Sequence, residues 1–180
     1  SSLVSLKSPF LEGRVKFKEG FKALYLNEGK NSGLSAPAGM VILGDTLAVA
    51  DVDKIAIFTI EDNGELKPLT SFPIKGAQSL GAIVKIGSNS IAVADAKANK
   101  IYKIENCLDA DSRLISILTS KIRNPTGLLA DDGQLFIVSP SSNKLYIYDL
   151  AADKPDRSIA IGPKAKQGQT GFVSIARGLE

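Results

Sequence analysis

The chain has 180 residues, of which 44% are hydrophobic and 23% charged, with a formal net charge of +3, a composition that builds one folded core and excludes disorder. No apolar run approaches the roughly 20 residues that a helical bilayer span needs, and no apolar stretch opens the chain as an export signal would. Histidine is absent, so a Ser-His-Asp triad, a Cys-His dyad and a His-ligated zinc are excluded at the outset.

From the N-terminus, Leu3–Leu6, Arg14–Phe17 and Ala23–Leu26 alternate apolar and polar residues as half-buried strands do. The basic surplus lies in these first 30 residues, but Arg14, Lys16 and Lys18 alternate with Val15 and Phe17 as one solvated strand face. Without denser clustering or interleaved stacking aromatics, that pattern is not one for nucleic acid. From Pro37 onwards the strands recur. Pro37-Ala38-Gly39, Leu80-Gly81-Ala82, Pro125-Thr126-Gly127 and Thr170-Gly171 each lead a short apolar run, and Gly39, Ala82, Gly127 and Gly171 fall 43, 45 and 44 residues apart. Each of the first three is followed by a second strand, Leu47–Asp51, Ile91–Asp95 and Leu135–Ser139, and by a third, Lys54–Phe58, Lys100–Ile104 and Lys144–Tyr148. Less regular fourth strands lie at Leu66–Ile74, Leu114–Leu118 and Arg157–Ile161.

Four strands per unit at a period near 44 define an all-β chain and, within that class, a β-propeller, whose four-stranded blades bury both faces against their neighbours. The expected organisation is a single domain over 1–180, with blades at about 37–76, 81–120 and 126–163 and a split blade from 1–30 plus 170–180. About four blades then close the ring through both termini; the alternative is a partial ring of a larger propeller, which would expose blade faces and self-assemble into a homo-oligomer. The small residues at the starts of the inner strands are expected where the sheets converge on the axis.

The conspicuous acids, Asp51 and Asp95, end equivalent second strands 44 residues apart. Equivalent positions fall in different blades, so each is read as capping the turn into the third strand by accepting backbone N–H bonds rather than as half of an acid/base pair. Glu61-Asp62-Asn63-Gly64 and Asp131-Asp132-Gly133 have hairpin-turn chemistry. The lone Cys107, with no His or basic cluster beside it in sequence, reads as a spectator thiol.

Pro125-Thr126-Gly127-Leu128-Leu129, Leu135–Ser139, Asn143-Lys144-Leu145-Tyr146, Asp51-Val52-Asp53-Lys54 and Asp95–Lys100 resemble NHL repeats, and more narrowly the gluconolactonase and regucalcin-like propellers. The resemblance covers residues 37–150. It implies a propeller, usually of six blades, and in the lactonase-like members a divalent cation held at the axis by Glu, Asn and Asp. This sequence departs from that pattern. Gly81-Ala82 stand where the family favours Asn-Asp, Thr126 where it favours Asn, and Ala38 in the first unit. The expectation is therefore no metal, no cofactor and no catalytic residue, and a non-catalytic scaffold that binds a protein, peptide or glycan partner. Its binding face is expected at Ala38, Met40, Gly81, Thr126 and Thr170, with the Lys164–Thr170 connection at the rim. The competing expectation is a lactonase-like hydrolase drawing carboxylates from Asp45, Asp131 and Asp132. No nucleic-acid partner and no membrane span are expected; the compartment is open, with export to the periplasm or the exterior the favoured side.

Overall fold

A computed structural model describes residues 3–5, 24–26, 33–62, 64–152, 154–161 and 175. Two short strands, β1 (Leu3–Ser5) and β2 (Leu24–Leu26), come first. Three antiparallel sheets of four strands follow. Blade 1 is β3 (Pro37–Leu43), β4 (Thr46–Asp51), β5 (Lys54–Ile60) and β6 (Leu66–Pro73). Blade 2 is β7 (Leu80–Gly87), β8 (Ser90–Asp95), β9 (Lys100–Glu105) and β10 (Leu114–Thr119). Blade 3 is β11 (Gly127–Asp131), β12 (Gln134–Ser139), β13 (Lys144–Asp149) and β14 (Lys154–Ala160). In every blade the strands pair in chain order, as tight connections between consecutive strands dictate. No helix among the described residues is long and apolar enough to cross a membrane.

The second strands show how the blades stack. In β4 and β8 large and small residues alternate, Leu47-Ala48-Val49-Ala50 and Ile91-Ala92-Val93-Ala94, so the period-2 rule puts the large ones on one face and the alanines on the other. Ala48 and Ala50 of blade 1 share a buried cluster with Ile91 and Val93 of blade 2. Ala92 and Ala94 of blade 2 share the next with Leu135 and Ile137 of blade 3. Each blade thus sets its small face against the large face of the blade after it, and the two volumes fill one layer. Ile91, Val93, Ile101, Ile104, Leu135 and Ile137 are completely buried, each contributing about 2 kcal/mol through removal from water.

The inner strands approach most closely. A Cβ placed on Gly39 of β3 would run into the carbonyl oxygen of Gly81 in β7 and come within 3.2 Å of Ile83 Cγ2, whereas a Cβ on Gly81 would meet open space. The small residue is needed at Gly39 because a neighbouring backbone passes there.

The expected split blade meets only two of its strands here. Leu3–Ser5 pairs directly and antiparallel with Leu24–Leu26, while in the expected order Arg14–Phe17 would lie between them. Arg14–Phe17, Thr170 and Phe172–Ser174 lie outside the described residues, as does the Lys164–Thr170 connection.

One turn carries strain. Asp51 and Lys54 face each other across a two-residue connection in which Val52 has φ 34° and is 36% exposed, a conformation that a β-branched residue adopts at a cost on the order of 1 kcal/mol. Asparagine tolerates that region. Val52→Asn is expected to raise stability by about 1 kcal/mol, seen as a higher urea midpoint with an unchanged slope; a lower midpoint would show that the valine side chain contributes more than its backbone strain costs.

Candidate functional site

The starts of the inner strands lie together, because β3 packs beside β7 and β7 beside β11. Ala38 is exposed there and Gly81 half-buried. Thr126, just ahead of β11, is half-buried, and its Oγ1 is enclosed with no hydrogen-bond partner. Met40 goes elsewhere. Its neighbour Val41 packs into the core between blades 1 and 2, so by strand alternation Met40 points to the opposite face of blade 1. It is 54% exposed there, beside Ile42 at 60%. The register explains this: Met40 stands opposite Val49 just as Ile83 stands opposite Val93 and Leu128 opposite Ile137. Ile83 and Leu128 are covered by the preceding blade.

Asp51 and Asp95 are both completely buried. The carboxylate of Asp51 accepts the backbone N–H groups of Ser35 at 2.9 Å and Ala36 at 2.6 Å, with Lys54 Nζ at 3.6 Å. That of Asp95 accepts Gln78 N–H at 2.7 Å and Ser79 N–H at 3.2 Å. It also accepts Lys97 N–H at 3.1 Å and Ala98 N–H at 2.8 Å in the turn that leads to β9. Each carboxylate therefore ties the segment that leads into the inner strand of its own blade. In blade 3 the equivalent residue is the buried Ser139, which donates to the carbonyl of Arg123. The latch is kept with its polarity reversed.

Near Asp95 the hydroxyl of Tyr102 is buried without a hydrogen-bond partner, and burial, then the Asp95 charge, pushes its pKa up. Cys107 is buried too, its Sγ donating to Asn89 Oδ1 at 3.3 Å, and burial raises the thiol pKa. A raised value keeps the thiol protonated and poorly nucleophilic. The loop that holds it is pinned between blades: Arg113 donates to the Cys107 carbonyl and lies 3.7 Å from the centroid of the Phe72 ring in blade 1. Nothing in the local sequence foretold this contact, since Phe72 and Arg113 belong to different blades.

The acids weighed for hydrolysis are not gathered at the inner-strand starts. Asp45 lies in the β3–β4 turn and Asp131 and Asp132 at the β11–β12 turn, all exposed, and these turns are at the far ends of the inner strands. Among the described residues no three His, Cys, Asp or Glu side chains come together in a set able to hold a metal ion. Among the described residues the inner-strand starts offer a methyl, a backbone and one enclosed hydroxyl, which do not fit a divalent cation that needs several oxygen ligands and compensating negative charge. A cleft of about 280 Å³ lies elsewhere, on blade 1, where Gly33, Phe58, Pro68 and Leu69 surround the bulge between β5 and β6.

No family model matches the sequence, and no curated protein is significantly similar to it. Solved structures are similar in fold. Virginiamycin B lyase from Staphylococcus aureus superposes with a TM-score of 0.55 at 15% identity, over 72% of this chain and 42% of that one. A chain of a nidogen/laminin complex gives 0.60 at 16% identity, over 85% of this chain and 55% of that one. The periplasmic gluconolactonase of Pseudomonas aeruginosa gives 0.54 at 15%, over 70% and 40%. These are β-propeller proteins, and the three stacked sheets have that fold. The chain spans between 40% and 55% of the length of these structures.

Proposed function

We propose that the chain is a non-catalytic β-propeller scaffold that binds a protein, peptide or glycan partner at the starts of its inner strands. The observation that carries the reading is the use made of Asp51 and Asp95. Both are buried, and each places its two oxygens on backbone amides, so the carboxylates closest to the inner-strand starts hold the chain together and are withdrawn from chemistry. What remains at the inner-strand starts is Ala38, Gly81 and the half-buried Thr126, whose hydroxyl is enclosed, with Thr170 proposed to join them. This surface is neutral and weakly polar, and rigid sheets position it. One of the structures that share the fold belongs to a nidogen/laminin complex, which accords with a protein-binding use of such a scaffold.

The hydrolase alternative is tested by assaying lactone and ester hydrolysis with calcium, magnesium or zinc added. The expected result is no turnover above buffer with any of the three metals. Metal-stimulated turnover that disappears in Asp131→Asn or Asp45→Asn would overturn the proposal and give those exposed acids the catalytic role.

A further inference from the structure

An outer strand of a blade leaves one row of backbone N–H and C=O groups unpaired, and natural sheets guard such edges with charges, prolines and short or bulged strands. Two of the three outer strands here are guarded. β6 carries Lys67, Pro68 and Pro73, and β14 carries Lys154, Pro155, Asp156 and Arg157. β10 reads Leu-Ile-Ser-Ile-Leu-Thr, with no charge and no proline, and ends its sheet. Its single irregularity falls between Ile117 and Thr119, so Leu114–Ile117 is a regular strand. Ile115 and Ile117 share one face of this stretch, and Leu114 and Ser116 the other. Ile115 and Ile117 stand opposite Ile104 and Tyr102, whereas Leu114 stands opposite Glu105 and Ser116 opposite Lys103. Leu114 is 61% exposed, Ile115 41% and Ile117 53%. Three exposed apolar side chains thus stand on an outer strand that has neither the charges nor the prolines of β6 and β14.

The ends of this strand differ in charge. Ahead of it lie the exposed Asp109 and Asp111, with Arg113 turned inward onto Phe72; after it lie the exposed Lys121 and Arg123. When two copies of such a strand pair antiparallel, the acidic end of each meets the basic end of the other. A parallel arrangement would set like charges together.

The geometry points to β10 as a homodimer edge, where a second copy of this chain adds its own β10 antiparallel about a two-fold axis, making one eight-stranded sheet from two blades. The contact is isologous, since the same strand serves both partners. Few residues meet, so the dimer is weak, with Kd on the order of tens of micromolar. The surface is on the outer rim of blade 2, and the proposal is independent of the inner-strand site.

Solution mass measured across a concentration range tests this on the full chain. The mass is expected to rise from that of a 19.0 kDa monomer to twice that value. Ile117→Lys is expected to weaken association at least tenfold with an unchanged melting midpoint, because the substituted side chain is already half in solvent. Two charge variants sharpen the test. Lys121→Glu with Arg123→Glu, and Asp111→Lys, are each expected to weaken self-association, and a mixture of the two is expected to recover it. A monomer at every concentration would overturn the proposal, as would a dimer indifferent to Ile117→Lys. A dimer lost on Met40→Lys instead would overturn it too, and would place the contact on the exposed Met40–Ile42 patch of blade 1.

Discussion

Gly39→Ala is expected to destabilise the protein by about 3 kcal/mol, whereas Gly81→Ala, in the neighbouring strand, is expected to raise stability by about 0.5 kcal/mol. The two glycines face each other across the join between blades 1 and 2. A methyl on Gly39 would meet the backbone carbonyl of Gly81, and a methyl on Gly81 would meet nothing within 4 Å. No side chain can rotate away to make room. β3 is held by its ladder to β4, and β7 by its ladder to β8, so the blades themselves must move apart and loosen the cluster of Ala48, Ala50, Ile91 and Val93. Urea denaturation of the two variants side by side checks this. Equal effects would mean that β3 and β7 do not approach as described.

The second large effect is at Asp95. Asp95→Ala leaves four backbone N–H groups without their acceptor, two ahead of β7 and two in the turn before β9, at an expected cost of about 4 kcal/mol. Asp95→Asn keeps one carbonyl oxygen as an acceptor but turns the other into a donor facing N–H groups. The expected loss is about 2 kcal/mol. Asp51→Ala removes two such bonds and the ion pair with Lys54, so its effect is expected to be smaller than that of Asp95→Ala. The ranking is checked by denaturation midpoints. An Asp95→Ala protein as stable as wild type would show that water or other groups satisfy those amides without the carboxylate.

Much of the architecture was legible because it is written in local patterns. The alternation Leu47-Ala48-Val49-Ala50, repeated as Ile91-Ala92-Val93-Ala94, fixes a strand, its two faces and the asymmetry of blade stacking at once. The period near 44 then multiplies one blade into three. Contacts that join distant parts of the chain were not legible. Asp95 reaches Gln78 and Ser79, 17 and 16 residues upstream, and Asp51 reaches Ser35 and Ala36 in the same way; neither pairing has a sequence motif. Met40 shows the limit for the site. Its place near an inner-strand start was readable, but the side to which it points depends on the register with Val49 and on what covers that face. The exposure of β10 was hidden for a related reason, because Leu114–Leu118 has the composition of a buried strand and only the strand order puts it at an edge.

In the proposed reading the buried carboxylates of Asp51 and Asp95 act as latches between chain segments, which withdraws them from chemistry. Native-state hydrogen exchange at the amides of Ser35, Ala36, Gln78, Ser79 and Ala98 tests it most directly. These amides are predicted to exchange with the protection of the neighbouring strands in wild type, and Gln78, Ser79 and Ala98 to lose that protection in Asp95→Ala while Ser35 and Ala36 keep it. Exchange at the rate of an open loop in the wild-type protein would contradict the account, because the carboxylates would then be free of the amides that are said to hold them.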